Sequence, residues 1–306
     1  MSATGTPFQV RPDLTAISIA FKNQRLIADK VLPKVPVNSR SFEYSVDDYG
    51  AQFTIPDSYV GRTSRTNDVF SNTTTSTGII QDYALQRVVP VYDIETTDID
   101  ILGKATEQVS NLLALDYEKR VADIVFNSNN YAGTTGLSST TCWDNAASDP
   151  IKAISDALDS LVMRPNVMVI GREAFSALSR NAKIVAAANR NSGAYGIAEV
   201  GFLQELFGLE EILIGESFVN GSKRGNTTSL SRCWGDSCAL IYKDMLMDAD
   251  YVTSFGFTAE LGSREASLFF DYNQGRKGSY IVRVGESVQE VIASNKLGYL
   301  FTNCVA

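Results

Sequence analysis

Apolar residues recur at three- and four-residue steps through TTDIDILGKATEQVSNLLALDYEKRVADIVFN, at Leu102, Ala105, Val109, Leu112, Leu113, Tyr117, Val121, Ile124 and Val125. That period is one face of an α-helix. The spacing predicts a helix over residues 96–126, roughly 40 Å long at 1.5 Å per residue, a spine able to carry other elements. The acids Asp93, Glu95, Asp98 and Asp100 fall where it begins. They suit the positive end of its dipole better than they suit a hard-cation site.

A different rhythm precedes it. VPVNSRSFEY, from Val35 to Tyr44, and IIQDYALQRVVPVY, from Ile79 to Tyr92, alternate loosely and carry the β-branched and aromatic residues of strands. Between them lie the turn signals DDYG and IPDSYVG and the polar run RTSRTNDVFSNTTTSTG, in which Val69 and Phe70 alone could serve a core. The pattern predicts a long hairpin with a polar outer part. A two-stranded ribbon is marginal in water, so it must lean on its own body or on another chain; the competing reading is a disordered surface loop.

At the start, DLTAISIAFKNQRLIADKVLP offers Asp13 as the cap of a short helix and Pro33 as a stop. After the spine comes a loop, then a second amphipathic helix using Ile151, Ile154, Leu158, Leu161 and Val162, with Asp149 as N-cap and Pro150 as its first residue. NVMVIG reads as a buried strand, REAFSALSRNAKIVAAAN and GIAEVGFLQELFG as helices, and EEILIG as a second strand. Strand, two helices and strand make a mixed α/β unit. Further strands follow to the end, with a turn signal at residues 295–298.

With 306 residues, 44% of them hydrophobic and 20% charged, the chain has material for a large core. The net charge of −8 argues against tight, sequence-reading contact with nucleic acid. No run of eighteen apolar residues exists, and MSATGTPFQV lacks the basic and apolar regions of a signal peptide, which points to a cytoplasmic protein with no membrane contact. Cys142, Cys233, Cys238 and Cys304 are scattered, without a C-x-x-C pair, and read as reduced, mostly buried thiols.

The chain contains no histidine. That removes the usual general base and the commonest metal ligand together. WGDSC places Ser237 in the setting of a GDS-type esterase nucleophile but without a base to activate it. GKATEQ and GSKRGNTT have the wrong spacing to cradle a phosphate. NTT at Asn72 and at Asn226 matches a glycosylation acceptor but lacks an export signal. No catalytic residue, cofactor site or metal site is assigned, and the chain is not read as an enzyme.

The order of elements resembles a known family. LIADKVLPKVPVNSRSFEY, the polar hairpin, YALQRVVPVYDIETTD running into ALDYEKRVADIVF, and NVMVIGREAFSALSRNAKIV followed by GIAEVGFLQELFGLEEILIGES look like a tailed-bacteriophage major capsid protein of the Hong Kong ninety-seven type. The resemblance implies an α+β fold. Residues 1–34 would be an N-terminal arm and residues 35–90 the extended E-loop with its base. Residues 91–149 and 250–306 would form a peripheral domain, containing the spine helix and a β-sheet, and residues 150–249 an α/β axial domain. It implies a subunit that self-assembles into hexamers and pentamers of an icosahedral shell around double-stranded DNA. Assembly would take place in the host cytoplasm, and the product would be the virion capsid. Portal, scaffolding and decoration proteins would be its other partners, and packaged DNA would be held without sequence specificity.

Two departures sharpen the reading. No lysine lies between Lys34 and Lys104, so the E-loop lacks the amine that some members use for isopeptide cross-links. A non-covalent shell is expected, with Arg62, Arg65, Asp47, Asp48 and Asp68 in inter-subunit contacts. No long charged helix precedes the arm, so with Met1 as the start scaffolding would come from a separate protein. The alternatives are an encapsulin-type nanocompartment shell, which shares the fold, a histidine-free α/β enzyme, and a self-assembling surface protein.

Overall fold

The computed structural model describes residues 9–10, 13–15, 26–47, 55, 57–66, 68, 73–96, 99–189, 196–222, 226–244 and 254–306. Strand β1 (Gln9–Val10) is followed by helix α1 (Ala28–Val31), which ends two residues before Pro33, and by β2 (Lys34–Pro36). Next come β3 (Ser41–Asp47), β4 (Thr73–Ile79), β5 (Gln81–Pro90), the short α2 (Val91–Thr96) and the spine α3 (Ile101–Val125). The expected single helix over 96–126 therefore starts later. Asp100 is its N-cap and accepts from the Gly103 N–H at 2.9 Å, which fixes the start of the helix at Ile101. Asp93 lies in the first turn of α2, and Asp98 is outside the described residues.

Strand β6 (Gly133–Gly136) lies inside the segment expected to be a loop. Helix α4 (Pro150–Ser160) has Asp149 as its cap and Pro150 at its first position, as the sequence indicates; Leu161 and Val162 fall beyond its end. Strand β7 (Val167–Gly171) leads into α5 (Arg172–Arg180) and α6 (Ala182–Asn189). These are two helices where one was expected. They part at Asn181, whose side chain donates to Trp143 O and Ser148 Oγ, each at 3.0 Å. Helix α7 (Val200–Phe207) and β8 (Glu211–Gly215) close this unit. Strands β9 (Phe218–Asn220), β10 (Leu230–Arg232), β11 (Cys238–Ile241), β12 (Gly256–Glu260), β13 (Glu265–Asp271), β14 (Ser279–Ile292) and β15 (Gly298–Thr302) complete the chain.

Two sheets organise the body. In the six-stranded sheet, β14 is the central strand: its first ten residues pair antiparallel with β5, residues 279–285 pair with β13, and residues 288–292 with β12. β1 adds to β13, and β2 runs parallel to β12. In the five-stranded sheet the order is β6-β15-β11-β7-β8. The last strand thus pairs with β11 and β6, not with the six-stranded sheet that holds the other C-terminal strands. Likewise α1, inside the segment read as an arm, is packed into the core.

Alternation along β7 explains how the five-stranded sheet is covered on both faces. Met168 and Ile170 pack with Ile154, Leu178, Ile184 and Leu203 of the helices. Val167 and Val169 pack on the other face with Val121 and Val125 of α3 and with Trp234. A strand buried on both faces reads as a continuous apolar run, which is what VMVIG is. The spine joins the two sheets. Ala105, Val109 and Leu113 of its first half pack on Val282, Val284 and Leu268 of the six-stranded sheet, while its second half reaches the five-stranded one. Leu112, expected inward, is exposed.

Candidate inter-subunit surface

The hairpin is present; its first strand shares Ser41–Tyr44 with the expected run, but its return strand is not the expected one. β3 pairs antiparallel with β4, from Ser41 opposite Ile79 to Asp47 opposite Thr73. The return strand TTTSTGI is the end of the polar run that looked like loop, whereas Gln81–Pro90 belongs to the six-stranded sheet. Threonine is β-branched and forms strands readily without needing a core. Seven residues at about 3.4 Å each give a ribbon of roughly 24 Å.

The ribbon is anchored at one end. Phe42 lies over Gly78, where a side chain would meet its ring at 2.3 Å, and packs edge-on to Phe257 with centroids 6.3 Å apart. The Ile80 N–H donates to Arg40 O at 2.9 Å, and the Arg40 guanidinium meets Asp82 at 2.6 Å. Ser287 Oγ donates to the other oxygen of Asp82 at 2.7 Å and, ahead of the Arg40 charge, holds that carboxyl below its usual range. Below the anchor, Lys34 pairs with Glu260 at 3.0 Å and Arg264 with the buried Glu286 at 2.8 Å. Arg120 of the spine pairs with Glu290 at 3.0 Å and stacks 3.6 Å over the Tyr83 ring.

Beyond the strands the described residues of the arm are largely exposed. Ile55 is 93% exposed and Tyr59 85%. Arg62, Arg65 and Asp68 are exposed, and none forms an ion pair with another described residue. Asp47 ends β3, while Asp48, Val69 and Phe70 lie outside the described residues. The structure therefore leaves Arg62, Arg65 and Asp68 exposed and does not bring them to a common partner among the described residues.

A second feature was missed in the sequence. Glu118, on the spine and fully buried, accepts from the Ile27 N–H at 3.0 Å, the Ala28 N–H at 2.8 Å and the Trp234 indole N–H at 2.6 Å. It binds the entry to the body, the spine and the segment before β11 through one carboxylate. Burial pushes its pKa up, and the three donors oppose that rise. The one signal in the sequence is an acid on the inward face of an apolar helix.

The four cysteines are free and buried. Burial pushes the Cys233 thiol up to about 11 and raises Cys238 and Cys304 further, so these are inert packing groups. Among the described residues no helix is long and apolar enough to cross a membrane.

No known family profile matches the chain. The major capsid protein of Pseudomonas phage JBD67 is 43% identical over 99% of this chain and 99% of its own length. That of Burkholderia phage BcepMu is 26% identical over 81% and 82%. Among solved structures, a phage-related protein from Bordetella bronchiseptica RB50 matches 98% of this chain and 99% of its own, with a TM-score of 0.75 and 22% identity. The capsid of cyanophage P-SCSP1u matches 98% and 91%, with a TM-score of 0.61 and 11% identity. An encapsulin of Synechococcus elongatus PCC 7942 matches 99% and 92% with a TM-score of 0.52 and 12% identity, a likeness of fold alone. The fold is the Hong Kong ninety-seven type, and with a relative so similar over its whole length, the chain belongs to the phage major capsid proteins, structural subunits and not enzymes.

Proposed function

We propose that the hairpin arm of each subunit lies on a neighbouring copy and that Arg62 and Arg65 meet acids there, holding a shell without covalent bonds. The observation that carries this is the ribbon anchored at Phe42 and Arg40 whose distal segment leaves Ile55, Tyr59, Arg62 and Arg65 in solvent. A two-stranded ribbon of this kind gains burial and hydrogen bonds when it rests on a second surface. Repetition of one heterologous contact around rotation axes closes a shell. The six-stranded sheet with the first half of the spine serves as the peripheral layer, and the five-stranded sheet with α4 to α7 as the axial one.

On this reading the subunits assemble as hexamers and pentamers in the host cytoplasm and enclose double-stranded DNA in the virion. An acidic chain repels phosphate, so the wall confines DNA without binding it tightly. Portal, scaffolding and decoration proteins complete the partners. The test is the double substitution Arg62→Glu and Arg65→Glu. Exposed positions contribute little to the fold, within about 0.5 kcal/mol, so the urea midpoint stays put while shell yield by light scattering and negative-stain imaging falls. Unchanged shell yield would remove the arginines from the interface. A ladder of linked subunits on a denaturing gel of wild-type shells would overturn the non-covalent reading.

A further inference from the structure

Strand β5 is a long open edge of the six-stranded sheet. It pairs with β14 on one side and with no described strand on the other, whereas β13 is flanked by β1 and β12 by β2. Its ten residues, at about 3.4 Å each, make an edge of roughly 34 Å. The parity of the ladder says which backbone groups face outward. The Val91 N–H donates to Gly278 O at 3.3 Å, and in an antiparallel pair the bonded residues recur at every second position. Val89, Arg87, Leu85 and Tyr83 therefore bond to β14, while Val88, Gln86, Ala84 and Asp82 turn their N–H and C=O groups away from it. None of these outward backbone groups meets a partner among the described residues. Pro90, which has no N–H to offer, falls at an outward position, where a ladder tolerates proline.

Open edges usually carry lysine, an interior proline or a bulge against unwanted pairing. β5 has no such defence. Its register with β14 is unbroken, its one proline is its last residue, and its charges are Arg87 and an Asp82 already held by Arg40. Leu85 is 40% exposed and Val88 38%. The partner follows from symmetry. Capsids of this family are icosahedral shells, and such a shell relates its copies by twofold axes, across which a surface patch meets itself. An extended strand suits that contact, because a twofold axis normal to the sheet sets it antiparallel to its own copy.

We propose that β5 pairs with β5 of a second copy across a twofold axis at Leu85, joining two six-stranded sheets into one. Ala84 then lies opposite Gln86 of the second copy and Asp82 opposite its Val88, so that the outward groups are bonded, by about eight backbone bonds. The two half-exposed Leu85 side chains meet on the axis. The two Arg87 side chains stay on either side of it, whereas an axis at Arg87 would set like charges face to face. This contact is separate from the arm's, and either can fail alone.

The test uses shells of the full chain. Across the axis the two Leu85 residues form a non-hydrogen-bonded pair, with Cα atoms about 4.5 Å apart, within the span of a disulfide. Shells of Leu85→Cys, oxidised with copper–phenanthroline, should run as dimers on a non-reducing denaturing gel. Unassembled Leu85→Cys subunits and shells of Arg87→Cys should stay monomeric, since the native cysteines are buried. Amide exchange of the wild type gives a readout that needs no variant. On assembly the Ala84, Gln86 and Val88 amides should slow at least about tenfold, while those of Tyr83, Leu85 and Arg87, already bonded to β14, change less. Leu85→Cys shells without dimers, an equal dimer yield from Arg87→Cys, or unslowed exchange at Ala84, Gln86 and Val88 in wild-type shells would overturn the proposal.

Discussion

The five-stranded sheet and the hairpin arm are both built from paired strands, yet they are stabilised in opposite ways. In the sheet, Val167, Met168, Val169 and Ile170 are all buried, with helices on one face and the spine on the other. Along the arm, Thr75 and Thr77 are exposed, and among the described side chains the packing contacts gather around Phe42. Burial of apolar surface dominates the first, at about 25 cal/mol per Å². The second has mainly its backbone ladder, each bond worth about 1 kcal/mol net. The sheet is complete within one chain, and the arm, on the reading proposed above, is completed by a neighbouring copy.

The largest expected effect tests the body side of that contrast. Glu118→Ala strips three N–H donors, of Ile27, Ala28 and Trp234, of their acceptor in a buried site. We expect a loss of about 3 kcal/mol in urea unfolding of the unassembled chain, since each orphaned buried donor costs about 1–3 kcal/mol and neighbours relax in part. Glu118→Gln keeps one acceptor oxygen and should recover part of the loss. A Glu118→Ala variant as stable as wild type would show that the node adds nothing and that the body is held by apolar packing alone.

A smaller effect, confined to the other region, is expected from Gly78→Ala. The new methyl would meet the Phe42 ring at 2.3 Å, and the ring must turn or the strands part. Overpacking of this kind costs about 1–3 kcal/mol. Because it falls at the arm's anchor, the expected signature is faster amide exchange across β3 and β4 with unchanged protection in β7 and β11. Equal loosening in both regions would mean that arm and body unfold as one unit, and the contrast drawn above would fail.

How much of this was readable in the chain follows from the same physics. The spine, VMVIG, the Asp149 cap and the turn at residues 295–298 announce themselves because their signals are local: period, run length, cap chemistry. Misplacement of the hairpin strands has a definite cause. Apolar alternation marks a strand that is buried in a core, and TTTSTGI forms one whose Thr75 and Thr77 are exposed. Residues 298–302 were grouped with the strands before them because membership of a sheet is a long-range property that no local period encodes. Glu118 and Trp234 lie 116 positions apart, so their bond is invisible until the fold brings them together. Arg62 and Arg65 stand out in the sequence by their charge beside the missing lysines, and the acids proposed to meet them on a neighbouring copy leave no mark in it.

The smallest expected effect belongs at the edge of the body, where a surface group stabilises by local geometry. Asp149 caps α4, its carboxylate accepting from Lys183 Nζ at 2.8 Å and from the Lys152 N–H at 3.2 Å. The Lys183 bond, then the backbone bond, hold its pKa below the ordinary value. Asp149→Ala should cost about 1 kcal/mol at neutral pH, the worth of an N-cap, the exposed ion pair adding little to it. The sign of the pH dependence follows from the lowered pKa. The folded state binds this proton less readily than the unfolded one, so the contribution is complete above the unfolded carboxyl's pKa, about 3.9. It is lost as pH falls through the depressed value. The gap between wild type and Asp149→Ala in urea unfolding should therefore be constant down to about pH 5 and narrow below about pH 4 by the part that the charge supplies. Asp149→Asn, which still offers an oxygen to Lys152 N–H, should retain most of the stability and lose its pH dependence. A gap that does not narrow at all in acid would mean that the side chain acts without its charge. The body's rim would then follow the rule of its interior.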